Sequence, residues 1–204
     1  MNINPSSNTN LYLMENYFHE LINLFENKKL PNKILLSGKK GIGKSTLAYH
    51  FINFVMSQDE DLSYNKKDLT INDNNTSYKL VQNKSHPNFY LIDLLEDKKN
   101  IDISQIRQMI NYTNKSSFNE KPRFILIDNI ENLNLSSSNA LLKVMEEPNN
   151  GIFFILIHNI EKKILATLKS RCLTFKISQS FDNSLKIANK ILNIDLLKSI
   201  NIDL

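Results

Sequence analysis

The chain has 204 residues, 25 Lys+Arg against 21 Asp+Glu for a formal net charge of +4, and one cysteine. That length suffices for one domain with a real core, or for one domain and the start of a second, and excludes a large multidomain assembly. A lone Cys172 excludes an internal disulfide and a thiolate-cluster metal site, the charge falls well short of a nucleic-acid tail, and no apolar run reaches the roughly 18 residues that cross a bilayer, so a cytoplasmic chain is expected.

Leu13, Tyr17, Leu21, Leu24 and Phe25 recur at helical spacing and predict an amphipathic helix over 11–27. Residues 33–37 read as a short buried strand and 45–56 as a helix carrying Leu47, Ala48, Phe51, Ile52 and Val55. From 58 to 85 the pattern dissolves into Asp, Asn, Lys and Ser, which predicts a long exposed excursion outside the core. Strands are then predicted at 89–94, 124–128, 153–158 and 173–177, with helices at 103–117, 136–147 (closed by Pro148) and 162–169 between them. Apolar runs without alternation mark strands buried on both faces, and their interleaving with helices marks an α/β fold: a parallel five-stranded sheet with helices on both faces. A further helical stretch at 181–193 reads as the start of a helical lid domain. The division expected is therefore a core over 1–178 and a lid, cut off partway, over 179–204.

Only four glycines occur, and Gly38, Gly41 and Gly43 fall within six residues. Gly38-Lys39-Lys40-Gly41-Ile42-Gly43-Lys44-Ser45 fits G-x-x-x-x-G-K-[ST] at every required position, between a strand and a helix. Such a turn lets successive backbone N–H groups face a β-phosphate. The helix that opens at Lys44, Ser45 and Thr46 adds its positive end, Lys44 reaches the β/γ oxygens, and the Ser45 hydroxyl ligates Mg²⁺. ATP and Mg²⁺ are the expected ligands, with Gly38, Gly41, Ile42, Gly43, Lys44, Ser45 and Thr46 around them. The metal needs a second carboxylate at the tip of another parallel strand, expected beside the first, and Asp128 ends the run 124–127. Asn129 follows it, and an amide cannot accept a proton as a general base. Glu131 either substitutes or points elsewhere. Nucleotide binding is thus better supported than hydrolysis.

Asn139-Ala140-Leu141-Leu142-Lys143-Val144-Met145-Glu146-Glu147-Pro148 resembles the N-A-L-L-K-x-x-E-E-P helix of the bacterial clamp-loader AAA+ proteins, and Ser170-Arg171-Cys172 resembles their S-R-C motif. With the P-loop, His86-Pro87 and residues 102–107, the likeness spans roughly 30–177. It implies a P-loop AAA+ core. It also implies an arginine finger at Arg171 serving a neighbouring subunit, and a γ-phosphate sensor position at His158 and Asn159, where the usual Thr is absent. Two kinds of subunit are candidates, the tau/gamma motor and delta-prime of DNA polymerase III. Asp128-Asn129-Ile130-Glu131 is similar to the degenerate pattern of delta-prime and lacks the motor's Asp-Glu pair. Both kinds commonly carry a four-cysteine zinc module where 58–85 stands, and that interval has no cysteine, so no zinc is expected.

The resemblance implies partners: tau/gamma and delta subunits, and the sliding clamp and primed DNA through the assembly. Two other readings stay open, an autonomous ATPase motor and a P-loop nucleotide kinase. The kinase would need several lid arginines to clamp the transferred phosphoryl group, and only three Arg are present.

Overall fold

A computed structural model describes residues 4–115, 121–147 and 151–192. Five strands, β1 (Lys33–Gly38), β2 (Phe89–Ile92), β3 (Arg123–Ile127), β4 (Ile152–Asn159) and β5 (Leu173–Lys176), form one all-parallel sheet in the order β2-β3-β4-β1-β5. The predicted α/β class and strand count hold. One neighbour relation differs: β4 lies between β1 and β3, so the strand bearing Asp128 is not beside the P-loop strand. Strand order follows from how each crossover packs, which the sequence of elements leaves open.

Helices α1 (Glu15–Glu26), α2 (Lys44–Met56) and α3 (Thr76–Gln82) cover one face, and α4 (Ile103–Thr113), α5 (Leu135–Glu146) and α6 (Ala166–Lys169) the other. The strands explain this division. Ile34, Leu36, Phe124, Leu126, Ile155 and Ile157 join the first core, while Leu35, Ile125, Ile127, Phe154 and Leu156 join the second. Successive side chains point to opposite faces, so an unbroken apolar run loads both cores at once. Each fully buried Leu, Ile or Phe contributes about 1.5–3 kcal/mol of transfer free energy.

Several boundaries move for local reasons. Leu13 has φ 53° and Met14 is the N-cap, so α1 starts at Glu15 and buries Phe18, Leu21 and Ile22. Asp102 and Gln105 form a reciprocal capping box that starts α4. The buried Arg123 guanidinium donates to the carbonyls of Tyr112, Thr113 and Lys115 at the other end of α4. The helix expected over 162–169 shrinks to α6, because Leu165 is extended and the Lys162 carbonyl is held by His158 Nε2 at 3.0 Å. A seventh helix, α7 (Phe181–Leu192), matches the expected 181–193 stretch within the described residues. The expected ends at 117 and Pro148 lie outside them.

The largest correction concerns 58–85. Tyr64, Leu69 and Ile71 are buried in the first core, and 76–82 form α3. Asn75, fully buried, accepts from Tyr78 N (2.7 Å) and Asn53 Nδ2 (2.9 Å) and donates to the Leu62 carbonyl (2.8 Å). Glu60 accepts from Thr76 N, Ser77 N and Ser77 Oγ at the start of α3. Satisfied polar side chains let a polar-looking segment pack, which hydrophobic patterning alone does not register.

Candidate functional site

The P-loop occupies residues 39–43, between the C-terminal end of β1 and the first turn of α2. Gly43, the N-cap of α2, has φ 93°, a conformation costly for any residue with a Cβ. Gly38 is required for space: a Cβ there would lie 2.3 Å from the Ile177 carbonyl oxygen. Lys44 is buried, and its ammonium donates to the carbonyls of Gly38 (2.9 Å) and Lys39 (2.6 Å), drawing the loop around its own side chain. Burial lowers its pKa, while Asp128, Glu131 and Glu161 pull the other way.

Ser45 Oγ donates to Asp128 Oδ2 at 2.6 Å. The two residues expected to hold a metal are therefore adjacent although β4 separates their strands, because both stand at the C-terminal edge of the sheet. Burial raises the Asp128 pKa, and the nearby Asp93 carboxylate acts in the same direction, against hydrogen bonds from Ser45 and the Asn129 backbone. Asn129, at φ 53°, donates through Nδ2 to Asp93 Oδ1 (2.7 Å). Glu131 accepts from the backbone N–H of Asn159 at 3.1 Å and so ties the loop after β3 to the end of β4.

A cavity of about 740 Å³ joins these groups, a size suited to a nucleotide. Gly41, Ile42, Gly43, Lys44, Ser45, Thr46, Asp128, Glu131 and Asn159 all line it. Gly38 stands behind the loop as spacer. His158 points away, its Nδ1 against Ser37 Oγ (2.9 Å) and its Nε2 on the Lys162 carbonyl, so of the two residues expected at a sensor position only Asn159 lines the cavity.

Arg171 is elsewhere. Leu173 pairs with Ile34 at the opposite end of β1 from Gly38, four residues or about 13 Å along the strand. The guanidinium is exposed there, with Nη2 on Glu146 Oε1 (2.9 Å) and Nη1 on the Thr167 carbonyl (3.0 Å). Its neighbour Cys172 has its thiol pushed up to about 11 by burial, which disfavours the nucleophilic thiolate near neutral pH.

A family model described as "DNA polymerase III, delta subunit" matches residues 13–181. The chain belongs to the DNA polymerase III delta-subunit family. Among curated relatives it is 30% identical over 191 residues to DNA polymerase III subunit delta' of Buchnera aphidicola subsp. Schizaphis graminum, covering 91% of this chain and 56% of that one. It is 34% identical over 157 residues to subunit gamma of the same organism, covering 76% and 40%. The chain spans about half the length of the curated relatives it matches. The solved Thermotoga maritima RuvB Holliday junction branch migration motor shares the fold, with TM-score 0.53, 16% identity, and coverage of 94% of this chain and 56% of that one.

In this delta-subunit family member, three contributors to the cavity escape motif reading. The first is the N-terminal arm: Pro5, Asn8, Asn10, Leu11, Tyr12 and Met14 form a wall facing the P-loop. Its first part, 5–10, is short and polar and carries no motif, and the periodicity of 11–27 predicts the start of a helix at residues 11–14. The second is Asp93, which follows the apolar strand β2 as Asp128 follows β3; that shared signature was available. The third is Gln179 with Ile187 of α7, and Gln179 Nε2 donates to the Leu13 carbonyl at 2.7 Å, joining the arm to the segment that leads into α7. Among the described residues no helix is long and apolar enough to cross a membrane.

Proposed function

We propose that this chain acts as a delta-prime-type clamp-loader subunit, binding ATP with Mg²⁺ at its P-loop and offering Arg171 to the nucleotide of a neighbouring subunit while a sliding clamp is loaded onto primed DNA. The observation that carries the nucleotide reading is the convergence of Lys44, Ser45 and Asp128 at one end of a cavity of matching size. Lys44 would bring its ammonium to the β/γ-phosphates, Ser45 and Asp128 would hold the metal or its waters, and Asn159 would meet the γ-phosphate end. The bound metal would neutralise phosphate charge and offset the desolvation of the Asp128 carboxylate. The N-terminal arm and Ile187 would enclose the base, with Gln179 and α7 acting as a lid segment beside it.

Action of Arg171 in trans is supported by its place at the far end of β1 from the P-loop. Autonomous hydrolysis is disfavoured because Asn129 is no base and Glu131 already accepts the Asn159 N–H. A kinase is disfavoured by the arginines: Arg123 is occupied by three carbonyls at and just beyond the end of α4, and Arg171 stands away from the cavity. Titration with a fluorescent ATP analogue tests the nucleotide site; unchanged affinity in Lys44→Ala refutes it. Turnover measured alone and with motor and delta subunits tests the assembly reading, which expects little activity alone. Relatives named for DNA polymerase III subunits point to the same partners.

A further inference from the structure

The N-terminal wall of the cavity is hydrogen-bonded at residues 6–11 to the 58–85 segment and to one histidine of α2. Leu11 N donates to the Leu69 carbonyl (3.1 Å), Ile71 N donates to the Thr9 carbonyl (2.9 Å), and Asn10 bridges Thr70 in antiparallel sense. Further along the arm, Gln82 Nε2 donates to the Ser6 carbonyl and Tyr78 Oη to the Ser7 carbonyl. At the centre stands His50, fully buried, with Nε2 3.0 Å from the Asn8 carbonyl and Nδ1 2.8 Å from Tyr64 Oη.

A carbonyl only accepts, so His50 Nε2 carries the proton, and Nδ1 must accept from the Tyr64 hydroxyl. The result is a directed chain, Tyr64 Oη–H to His50 to Asn8 carbonyl, that runs from the 58–85 segment through α2 to the cavity wall. Tyr64 is itself fixed: its N–H donates to Ser57 Oγ (3.0 Å), and its ring packs on Phe18 and Phe54, with centroids at 5.0 and 6.2 Å. Burial keeps His50 neutral at physiological pH, with its pKa lowered to about 4, as this arrangement requires. Asn8 lines the cavity, and its Oδ1 accepts from Asn10 N (3.2 Å), so fixing Asn8 also shapes the next lining residue.

We propose that His50 and Tyr64 are positioning residues for the nucleobase end of the site, through which the 58–85 segment sets the base-dependent part of nucleotide affinity. This rests on the nucleotide reading of the cavity. None of the contacts just described reaches the P-loop, so triphosphate recognition by Lys44 and Ser45 stays independent of them.

Calorimetric titration of the full chain with Mg²⁺-ATP and, separately, with Mg²⁺-tripolyphosphate separates the two ends. His50→Leu leaves the Asn8 carbonyl unpaired and is expected to weaken ATP about 10-fold with less than about 2-fold change for tripolyphosphate, the scale of one buried hydrogen bond. Tyr64→Phe keeps the ring packing, removes the hydroxyl that orients the imidazole, and is expected to weaken ATP about 3-fold on the same grounds. His50→Gln can donate to Asn8 and accept from Tyr64 and is expected to restore ATP affinity. Unchanged ATP affinity in both His50→Leu and Tyr64→Phe overturns the proposal, as does equal weakening of both ligands. A wild-type chain that binds tripolyphosphate and ATP equally well also overturns it while leaving the P-loop reading standing. A chain that binds neither ligand removes the nucleotide reading and this inference with it.

Discussion

Ser45 Oγ sits 2.6 Å from Asp128 Oδ2, across 83 residues of chain and one intervening strand. The hydroxyl donates to a carboxylate that burial disfavours in its charged form. The pair is thus an internal hydrogen bond that a divalent cation would replace with two oxygen ligands, at a carboxylate whose desolvation the cation would relieve.

Asp128→Asn should therefore separate stability from binding. An amide can accept from Asn129 N and donate to Ser45 Oγ while carrying no buried charge, so thermal stability should be unchanged or higher by up to about 1 kcal/mol. The gain in nucleotide affinity on adding Mg²⁺ should disappear. Melting curves and paired titrations with and without Mg²⁺ check both, and a preserved Mg²⁺ effect would refute the metal assignment.

Gly38→Ala tests the close approach of β1 to the chain after β5. The added methyl meets the Ile177 carbonyl oxygen at 2.3 Å and Ile42 Cδ1 at 2.6 Å, and the first obstacle is backbone. A loss of about 1–3 kcal/mol in urea unfolding is expected from such overpacking. Gly41→Ala meets nothing within 4 Å but carries φ 80°, so its cost is conformational and smaller, about 1 kcal/mol.

Arg171→Ala should barely change stability. Its pair with Glu146 is exposed on both sides, and such surface pairs contribute about 0–1 kcal/mol. In a complex reconstituted with motor and delta subunits the same variant should depress ATP turnover, since a finger acts only on the transition state of a neighbour's nucleotide. Turnover equal to wild type would remove the finger role.

His50 makes stability depend on pH. Its pKa is about 4 folded and 6.5 in an ordinary setting. Above 6.5 both states are neutral there and the full contribution is present. Between 6.5 and 4 the unfolded chain takes up a proton that the folded chain refuses, so stability falls as pH falls, by about 3 kcal/mol in all, and levels off below 4. Urea unfolding at pH 7 and pH 4.5 should show this slope, and His50→Gln should flatten it. An identical slope in the variant would show that other groups carry it.

Much of this was legible in the residues themselves. The apolar runs at 34–36, 124–127 and 152–157 report burial on both faces because a pleated strand alternates its side chains whatever surrounds it. The octapeptide 38–45 reports its turn because two of its glycines adopt positive φ and a third leaves no room for a methyl. Asp93 carried the same strand-end signature as Asp128 and could have been found by it. The 58–85 segment misled because its stability comes from satisfied Asn, Glu, Ser and Tyr side chains, and composition counts those residues as solvated.

By itself, then, the sequence determined the α/β class, the P-loop with its lysine and serine, and the carboxylate at Asp128, all set by local backbone geometry or by short-range chemistry. Only the tertiary structure decided that β4 lies between β1 and β3, that the arm 5–14 closes the cavity, that Glu131 holds Asn159, and that Arg171 faces away from its own P-loop. The reason is physical. These relations depend on which crossover packs against which face and on hydrogen bonds between residues tens of positions apart, and no spacing along the chain encodes a distance across it.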